Sequence, residues 1–263
     1  MMSIQDDKTS IQHFTKAPIL EAVGVTKVFK IGKQMVTPIS DVSFQINYGD
    51  FVIIFGPSGA GKSTLLNILM GIEKPDIGEV ILKEESFYNF SNEDRAKIRL
   101  KRFGLIPEQQ IWIEQLTLHE NIALPLIMQG TRKGIALKKA QKFIDTFGID
   151  SIKKHRPTEA SSGQKQKASI ARALINDPWI VFADEPTGHL DTQSVEEVIK
   201  ILVDINTKEN KTIVMVTHDF EFLKFSKKWF FVKDGRLWNI KQQNSPLHSI
   251  KEVVSYIESP NKK

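Results

Sequence analysis

The sequence contains no cysteine and no long hydrophobic run. Without cysteine the chain has no disulfides, no thiolate zinc site and no cysteine nucleophile, and it is compatible with a reducing compartment. The longest apolar runs, residues 51–55 and 179–183, have five residues each. A membrane-spanning helix needs about 20 residues, so we expect no part of this chain to cross a bilayer. Residues 1–10 carry acidic side chains and no apolar stretch, so we expect no secretory signal there.

The composition is that of a globular protein. The chain has 263 residues, of which 41% are hydrophobic and 25% are charged. These proportions exclude a disordered chain, a collagen-like fibre and a coiled-coil rod, and the length is roughly two domains' worth at about 100–200 residues per domain. The formal net charge of +5 suits anionic partners such as nucleotides, nucleic acid or lipid head groups without choosing among them.

Apolar runs alternate with helical patterns along the chain. Residues 51–55 form a continuous apolar run, which is typical of a parallel strand buried on both faces, and a helical pattern follows over 63–70. Two further apolar runs at 179–183 and 212–216 flank a helical pattern near 194–205. This alternation predicts an α/β fold with a parallel sheet.

Three segments differ from the rest of the chain. Residues 109–176 carry apolar side chains at helical spacing, which predicts a helical insert. Residues 1–18 are a polar tail, and residues 241–263 carry an amphipathic helical stripe that ends at Ile257. For that last stripe three hypotheses remain open: it caps the domain, docks on a partner or touches a membrane.

Residues 56–63 match the pattern G-x-x-x-x-G-K-S. Glycines allow the backbone to turn tightly and to aim N–H groups at a phosphate, and the helix that follows adds the positive end of its dipole. Lys62 would reach the β- and γ-phosphates, and the Ser63 hydroxyl would hold Mg²⁺. The alternative is a plain glycine-rich turn, but the strand before the pattern and the helix after it favour nucleotide binding. The candidate nucleotide-binding residues are Gly56, Pro57, Ser58, Gly59, Ala60, Gly61, Lys62, Ser63 and Thr64.

Acidic and histidine side chains follow the two later apolar runs. Asp184 and Glu185 come directly after residues 180–183, where Asp184 would anchor hydrated Mg²⁺ and Glu185 would act as general base. A solvated acidic loop is the alternative, and the phosphate loop makes the metal and water site the better interpretation. His218 follows the 212–216 run. A lone histidine is more often structural, but one at the end of another strand of the same sheet can approach a terminal phosphate.

Taken together, these motifs resemble the ATP-binding subunits of ATP-binding-cassette (ABC) transporters over roughly residues 19–240. Residues 160–164 (A-S-S-G-Q), followed by I-A-R-A-L at 170–174, are similar to the family's signature, and 188–191 to its dimer-facing loop. The signature is the discriminating motif, since many unrelated ATPases share the phosphate loop alone.

The resemblance implies a fold, cofactors and roles. The fold is that of a P-loop NTPase with a RecA-like parallel sheet, an antiparallel β subdomain and an inserted α-helical subdomain. The cofactors are ATP and Mg²⁺, and two subunits pack head to tail around two nucleotides. The implied catalytic residues are Glu185, His218 and Lys62. Besides the phosphate loop, the implied ATP contacts are Phe29, Glu108, Ser161, Gly163, Gln164 and Asp191. The implied metal ligands are Ser63, Asp184 and Glu108. Phe29 would stack on adenine; its alternative role is a buried core phenylalanine.

The sequence motif D-E-P-T-G-x-L-D at residues 184–191 is most similar to that of one subgroup of the ABC family. It contains the ATPases of lipoprotein release, of macrolide or peptide export and of the cell-division complex. The resemblance implies a separate membrane permease, a location on the cytoplasmic face of the inner membrane, a homodimer or heterodimer, and export or extraction of a lipophilic or peptide cargo. One alternative is a mechanotransmitter that moves no cargo. Another is a soluble cassette protein of DNA repair or translation, which the absence of heptads between phosphate loop and signature disfavours; we expect no nucleic acid.

Four positions depart from the family pattern. A glutamine is usual where an ungapped count places Glu108, and Ser162 stands where the family prefers glycine. Ala160 replaces leucine and His189 replaces asparagine. Glu108 would contact the metal more directly, or a small shift would present Gln109 instead, and we favour Glu108. The interpretation is a working ATPase with adjusted coupling, and a heterodimer with two unequal sites is a further hypothesis.

Overall fold

The computed structural model describes residues 17–238. Ten strands form two sheets within this range. They are β1 (Pro18–Ile31), β2 (Gln34–Asn47), β3 (Phe51–Phe55), β4 (Ile77–Leu82), β5 (Glu85–Ser86), β6 (Phe103–Ile106), β7 (Ile180–Asp184), β8 (Thr212–Thr217), β9 (Lys228–Lys233) and β10 (Arg236–Trp238). Six α-helices accompany them: α1 (Lys62–Leu69), α2 (Asn92–Arg102), α3 (Leu118–Met128), α4 (Lys133–Thr146), α5 (Ser162–Leu174) and α6 (Thr192–Glu209).

The central sheet has the order β10-β9-β3-β8-β7-β6. Its first pair is antiparallel, and every other neighbouring pair is parallel. In β3 all five residues are buried: Val52 and Ile54 face one apolar core, whereas Phe51, Ile53 and Phe55 face the other. Helices therefore cover both faces of this sheet, which explains the continuous apolar run.

A second sheet, with the order β2-β1-β4-β5, is antiparallel throughout. Its long strands β1 and β2 share a core with α1 and with one face of the central sheet. The turn between β9 and β10 consists of Asp234 and Gly235, both at positive φ, as a two-residue hairpin turn requires.

Helices α3, α4 and α5 lie between β6 and β7 in the chain and pack around their own apolar cluster. Thr117 and Ser161 each form a capping box at the start of α3 and α5, which fixes where these helices begin. Helix α5 also contributes to the core beneath the central sheet. Within residues 17–238 no helix combines the length and the apolar character that a bilayer span requires.

The predicted fold class is confirmed: a central, mainly parallel sheet, an antiparallel β layer and a helical layer inserted between two strands of the core. The runs predicted as strands at 51–55 and 212–216 are strands β3 and β8, and the helix that follows the glycine motif begins one residue earlier than predicted. The domain boundaries at 19–240 and 109–176 stay predictions. The amphipathic stretch 241–263 and nearly all of the polar tail 1–18 lie outside the described residues.

Candidate functional site

The glycine motif forms a tight loop between β3 and α1. Gly61 lies at φ +96°, and a Cβ added there would be 2.1 Å from the carbonyl oxygen of Pro38 on β2. A Cβ on Gly56 would lie 2.0 Å from the carbonyl oxygen of Val232 on β9. The loop therefore passes between the backbones of two strands where no side chain fits, and only glycine meets both requirements.

Lys62 occupies the inside of this loop. Its side chain is 7% exposed, and Nζ donates hydrogen bonds to the carbonyl oxygens of Gly56 and Pro57 at 2.9 and 3.0 Å. The same Nζ lies 3.7 Å from Oε1 of Glu185. A lysine ammonium group at the N-terminus of a helix that follows a glycine-rich loop is the arrangement that binds phosphates.

Neighbouring strand ends bring the predicted acidic and histidine residues to this loop. Because β8 lies between β3 and β7, the residues after all three strands meet at one edge of the sheet. Ser63 Oγ donates a hydrogen bond to Asp184 Oδ1 at 3.2 Å, and His218 Nδ1 is 2.9 Å from Glu185 Oε2. Five residues predicted from separate motifs, namely Lys62, Ser63, Asp184, Glu185 and His218, thus form one connected cluster.

Glu185 has a strained backbone. Its φ is +43°, a backbone conformation that residues other than glycine seldom adopt. Its N–H donates to the carbonyl oxygen of Val216 on β8 at 3.0 Å, and its side chain is 12% exposed. Strain of this kind costs about 1–3 kcal/mol and persists where the surrounding structure imposes it, often at functional sites.

Charge in the cluster is unbalanced. Burial raises the pKa of Asp184, the hydrogen bond from Ser63 opposes this rise, and the carboxylates of Glu108 and Glu185 raise the pKa further. Glu108 is exposed. Its negative charge still raises the pKa of Asp184 through the electrostatic interaction between the two carboxylates. Among the described residues, Asp184 thus lies near two further carboxylates, those of Glu108 and Glu185, and near the ammonium group of Lys62, which lowers its pKa.

The oxygen atoms of Ser63 and Asp184 fit Mg²⁺, which prefers hard oxygen ligands. Among the described residues, no group of three or more histidine or acidic side chains is arranged to hold a metal ion by itself. Protein sites for Mg²⁺ usually combine one or two carboxylates with water and substrate phosphates, so a partial set beside a phosphate loop is the expected form.

The signature-like segment lies elsewhere on the chain surface. Ser161 caps α5, where its Oγ accepts from Gln164 N at 3.3 Å. Gly163 packs against Ser194, whose Oγ would lie 2.4 Å from an added Cβ. Asp191 caps α6 by accepting from Ser194 N at 2.9 Å, and this hydrogen bond together with that from Ser194 Oγ lowers the pKa of Asp191.

The structure thus brings Ser161, Gly163, Gln164 and Asp191 together at the starts of two adjacent helices. Within residues 17–238 no hydrogen bond or ion pair joins these residues to the Lys62 cluster. A single chain therefore presents two separate groups of predicted site residues.

Phe29 lies in the β1–β2 hairpin opposite Val36, which stands two residues before Pro38, whose carbonyl meets the phosphate loop. Its side chain is neither fully buried nor exposed, and its role in stacking on adenine stays a prediction. The ammonium group of Lys27 lies 5.1 Å from the ring centroid. The Lys27 ammonium group therefore lies over one face of the Phe29 ring.

Sequence reasoning missed the contacts that hold the loop after β6. Gln110 bonds to Gln166, and Arg172 bonds to the carbonyl oxygen of Ile111. Arg172 belongs to the I-A-R-A-L segment, but no periodicity or motif indicates its partner, because the two residues are 61 positions apart.

Comparison with known proteins identifies the family. The ABC transporter family model matches residues 39–188. The lipoprotein-releasing system ATP-binding protein LolD of Saccharophagus degradans is 36% identical over 77% of this chain and 89% of its own length. The macrolide export ATP-binding/permease protein MacB of Chlorobaculum tepidum is 39% identical over 82% of this chain, which spans only 33% of that relative.

A solved structure of an ATP-binding cassette is also similar to this chain. It is a dimeric post-hydrolysis state of an ATP-binding cassette of Methanocaldococcus jannaschii bound to ADP and inorganic phosphate. It is 33% identical, with a TM-score of 0.80 over 86% of this chain and 99% of that one. The chain therefore belongs to the ABC transporter family, in which it is an ATP-binding and ATP-hydrolysing subunit.

Proposed function

We propose that this subunit binds Mg-ATP at residues 56–64 and hydrolyses it when two subunits close around two nucleotides. The observation that supports this most is the connected cluster at the edge of the central sheet, in which Glu185 lies 3.7 Å from Lys62 and 2.9 Å from His218. Phosphate-binding, metal-binding and proton-accepting groups are all present there.

Each residue of the cluster has a role in this proposal. Lys62 binds the β- and γ-phosphates, and Ser63 and Asp184 hold Mg²⁺, with Glu108 as a further metal contact. Bound Mg²⁺ would neutralise charge on the phosphates. Glu185 accepts a proton from the attacking water, and His218, hydrogen-bonded to Oε2, orients the carboxylate near the γ-phosphate.

The second group of residues acts on the other nucleotide of the dimer. Ser161, Gly163 and Gln164 lie at the N-terminus of α5, where free N–H groups and the helix dipole favour an anion such as the γ-phosphate. Asp191 lies beside them at the subunit surface. Phe29, with Lys27 on one ring face, stacks on adenine with the other. The dimeric state of the similar cassette supports this arrangement.

The partner in this proposal is a membrane permease, with the ATP-binding subunit on the cytoplasmic face of the inner membrane. The relatives named for macrolide export and lipoprotein release support export or extraction of a lipophilic or peptide cargo. Whether the second ATP-binding subunit is a copy of this chain or a different one is decided by the same experiment that tests hydrolysis.

That experiment uses the variant Glu185→Gln, with Glu209→Gln at the exposed end of α6 as matched control. We expect turnover to fall by about 10²–10⁴-fold, since that is the usual contribution of a general base. Because the phosphate loop is intact, ATP binding persists and the closed dimer accumulates with Mg-ATP, which light scattering detects. The control keeps wild-type turnover.

Capture of the accumulated Glu185→Gln complex from detergent-solubilised membranes then identifies its components by mass spectrometry. We expect a polytopic membrane protein, and a different cassette subunit in the same complex would establish a heterodimer. Wild-type turnover by Glu185→Gln would refute the proposed base, and recovery of soluble nucleic-acid proteins alone would refute the transporter assignment.

A further inference from the structure

The segment that follows α1 folds back against β1. At its start, the N–H of Glu73 donates to the carbonyl oxygen of Asn67 on α1 at 3.2 Å. At its end, Oδ2 of Asp76 accepts a hydrogen bond from the N–H of Val28 on β1 at 2.7 Å. This segment therefore connects the helix of the phosphate loop to the strand that carries Phe29.

Lys27 lies at the centre of this connection and is only 8% exposed. Its Nζ lies 2.6 Å from Oε1 of Glu73 and 3.5 Å from Oδ2 of Asp76, and it donates a hydrogen bond to the carbonyl oxygen of Lys74 at 2.8 Å. Burial acts to lower the pKa of Lys27, but the hydrogen bonds and charges of the two carboxylates outweigh burial and raise the pKa. The side chain therefore stays a buried ammonium ion.

The strand between Lys27 and Phe29 is irregular. Lys27 is opposite Ile39 and Phe29 is opposite Val36, so a step of two residues along β1 corresponds to three along β2. Such bulges increase the local twist and redirect side chains. A regular ladder therefore does not by itself determine the orientation of the Phe29 ring. The Lys27 ammonium group, 5.1 Å from the ring centroid, supplies a contact that does.

We propose that Lys27 is a positioning residue for adenine binding, whose ammonium group fixes the orientation of the Phe29 ring so that the other face stacks on the base. This inference rests on the proposed function, in which Phe29 stacks on adenine. A cation is attracted to the face of an aromatic ring, so the ring keeps this orientation before the nucleotide arrives. Such preorganisation increases affinity because less order is lost on binding. Since Glu73 follows the end of α1, the same ion pair also fixes the base site relative to the phosphate site.

The first test is the variant Lys27→Met, which keeps an unbranched side chain and removes the charge. The matched control is Lys97→Met, which removes an ammonium group 2.7 Å from Glu93 on the exposed surface of α2. We expect the Kd for Mg-ATP, measured by calorimetry, to rise about fivefold in Lys27→Met and to stay at the wild-type value in the control. KM rises with Kd, whereas kcat at saturating ATP stays within about twofold, because the hydrolytic cluster is untouched. Lys27→Arg keeps a cation and recovers most of the affinity.

Inorganic tripolyphosphate with Mg²⁺ separates the positioning role from a merely structural one, because this ligand has the phosphates but no base. We expect Lys27→Met to change its Kd by less than about twofold, since the phosphate loop keeps its contacts. A structural role of Lys27 would weaken the binding of both ligands by the same factor.

The second test is a double-mutant cycle with Phe29→Leu, measured by the Kd for Mg-ATP. If Lys27 acts through the ring, Lys27→Met weakens binding about fivefold in the wild-type background and by less than about twofold where residue 29 is leucine. If Lys27→Met does not fold, Glu73→Gln takes its place in the cycle, because it removes the 2.6 Å charge partner at a side chain that is 37% exposed. We expect it to weaken ATP binding about threefold.

An unchanged ATP affinity in Lys27→Met, an equal effect on ATP and tripolyphosphate, or an equal effect in both backgrounds of the cycle would overturn the positioning role alone. An unchanged ATP affinity in Phe29→Leu would overturn the stacking on adenine, which belongs to the proposed function, and the positioning role with it. The single variant Phe29→Leu therefore distinguishes the two failures.

Discussion

Replacing Asp184 with asparagine tests whether the edge of the central sheet is destabilised in the absence of nucleotide. The carboxylate is mostly buried and lies near the carboxylates of Glu108 and Glu185, which together raise its pKa. Asparagine has nearly the same shape, and its Oδ1 can still accept the 3.2 Å hydrogen bond from Ser63. The substitution therefore removes one charge and little else.

Without nucleotide we expect Asp184→Asn to be more stable than the wild-type chain. The gain is about 1 kcal/mol, within the range that single stabilising substitutions commonly give. For a chain of this size this corresponds to a rise of about 2–4 °C in melting temperature. Bound Mg-ATP should stabilise the wild-type chain by more than the variant, because the variant lacks one of the proposed metal ligands. The order of the two melting temperatures then reverses.

The dependence on pH follows from the raised pKa of Asp184. Its ordinary value is 3.8, so between pH 3.8 and the higher native pKa the folded chain binds more protons than the unfolded chain. The unfavourable charge is fully present above the native pKa and disappears as the pH falls to 3.8. We therefore expect the advantage of Asp184→Asn to be largest at neutral pH and to shrink in acid.

The assay is thermal unfolding between pH 7.5 and 4.5, with and without Mg-ATP. The control is Asp204→Asn, which removes an exposed carboxylate 3.0 Å from Lys208; exposed pairs contribute less than about 1 kcal/mol, so no gain is expected. A nucleotide-free Asp184→Asn that melts below the wild-type chain at pH 7.5, or whose gain grows in acid, would refute the reasoning.

Three further substitutions test the packing of the phosphate loop and of the loop after β6. Gly61→Ala places a Cβ 2.1 Å from the carbonyl oxygen of Pro38, so we expect lower melting temperature and loss of ATP binding. Gly59→Ala has a positive φ but no neighbouring atom within 4 Å and should cost only about 1 kcal/mol of strain; equal effects of the two would contradict this account. Asn121→Leu leaves the N–H of Ile113 without its partner, and we expect a loss of about 3 kcal/mol in urea unfolding. A loss below about 1 kcal/mol would show that the loop does not depend on Asn121.

The parts of the fold that depend on local pattern were predictable from the sequence. The run 51–55 is apolar throughout because β3 is buried on both faces. In contrast, the length of β1, Pro18–Ile31, was not predictable, because register shifts interrupt the regular alternation of its side chains. Strand order was not predictable either, since it depends on pairings such as that of β3 with β8, which are distant in sequence.

The same distinction applies to the candidate site. Lys62, Asp184 and Glu185 belong to motifs in which the chemistry and the spacing are both local. The close approach of Gly61 to Pro38 and the stacking of Arg172 on Trp112 join positions far apart in the chain. A single sequence contains no information on such pairs, because neither partner has a pattern that requires the other.

The unbalanced charge of the site has a consequence for how nucleotide binds. Glu108, Asp184 and Glu185 carry three negative charges beside the one positive charge of Lys62. The phosphates of ATP add further negative charge, and at short range like charges repel by several kcal/mol at the effective dielectric constant of protein sites. A divalent cation reverses the sign of this interaction for both partners. We therefore expect the carboxylate of Glu108 to make the metal more necessary than a glutamine at this position would, since glutamine adds no charge.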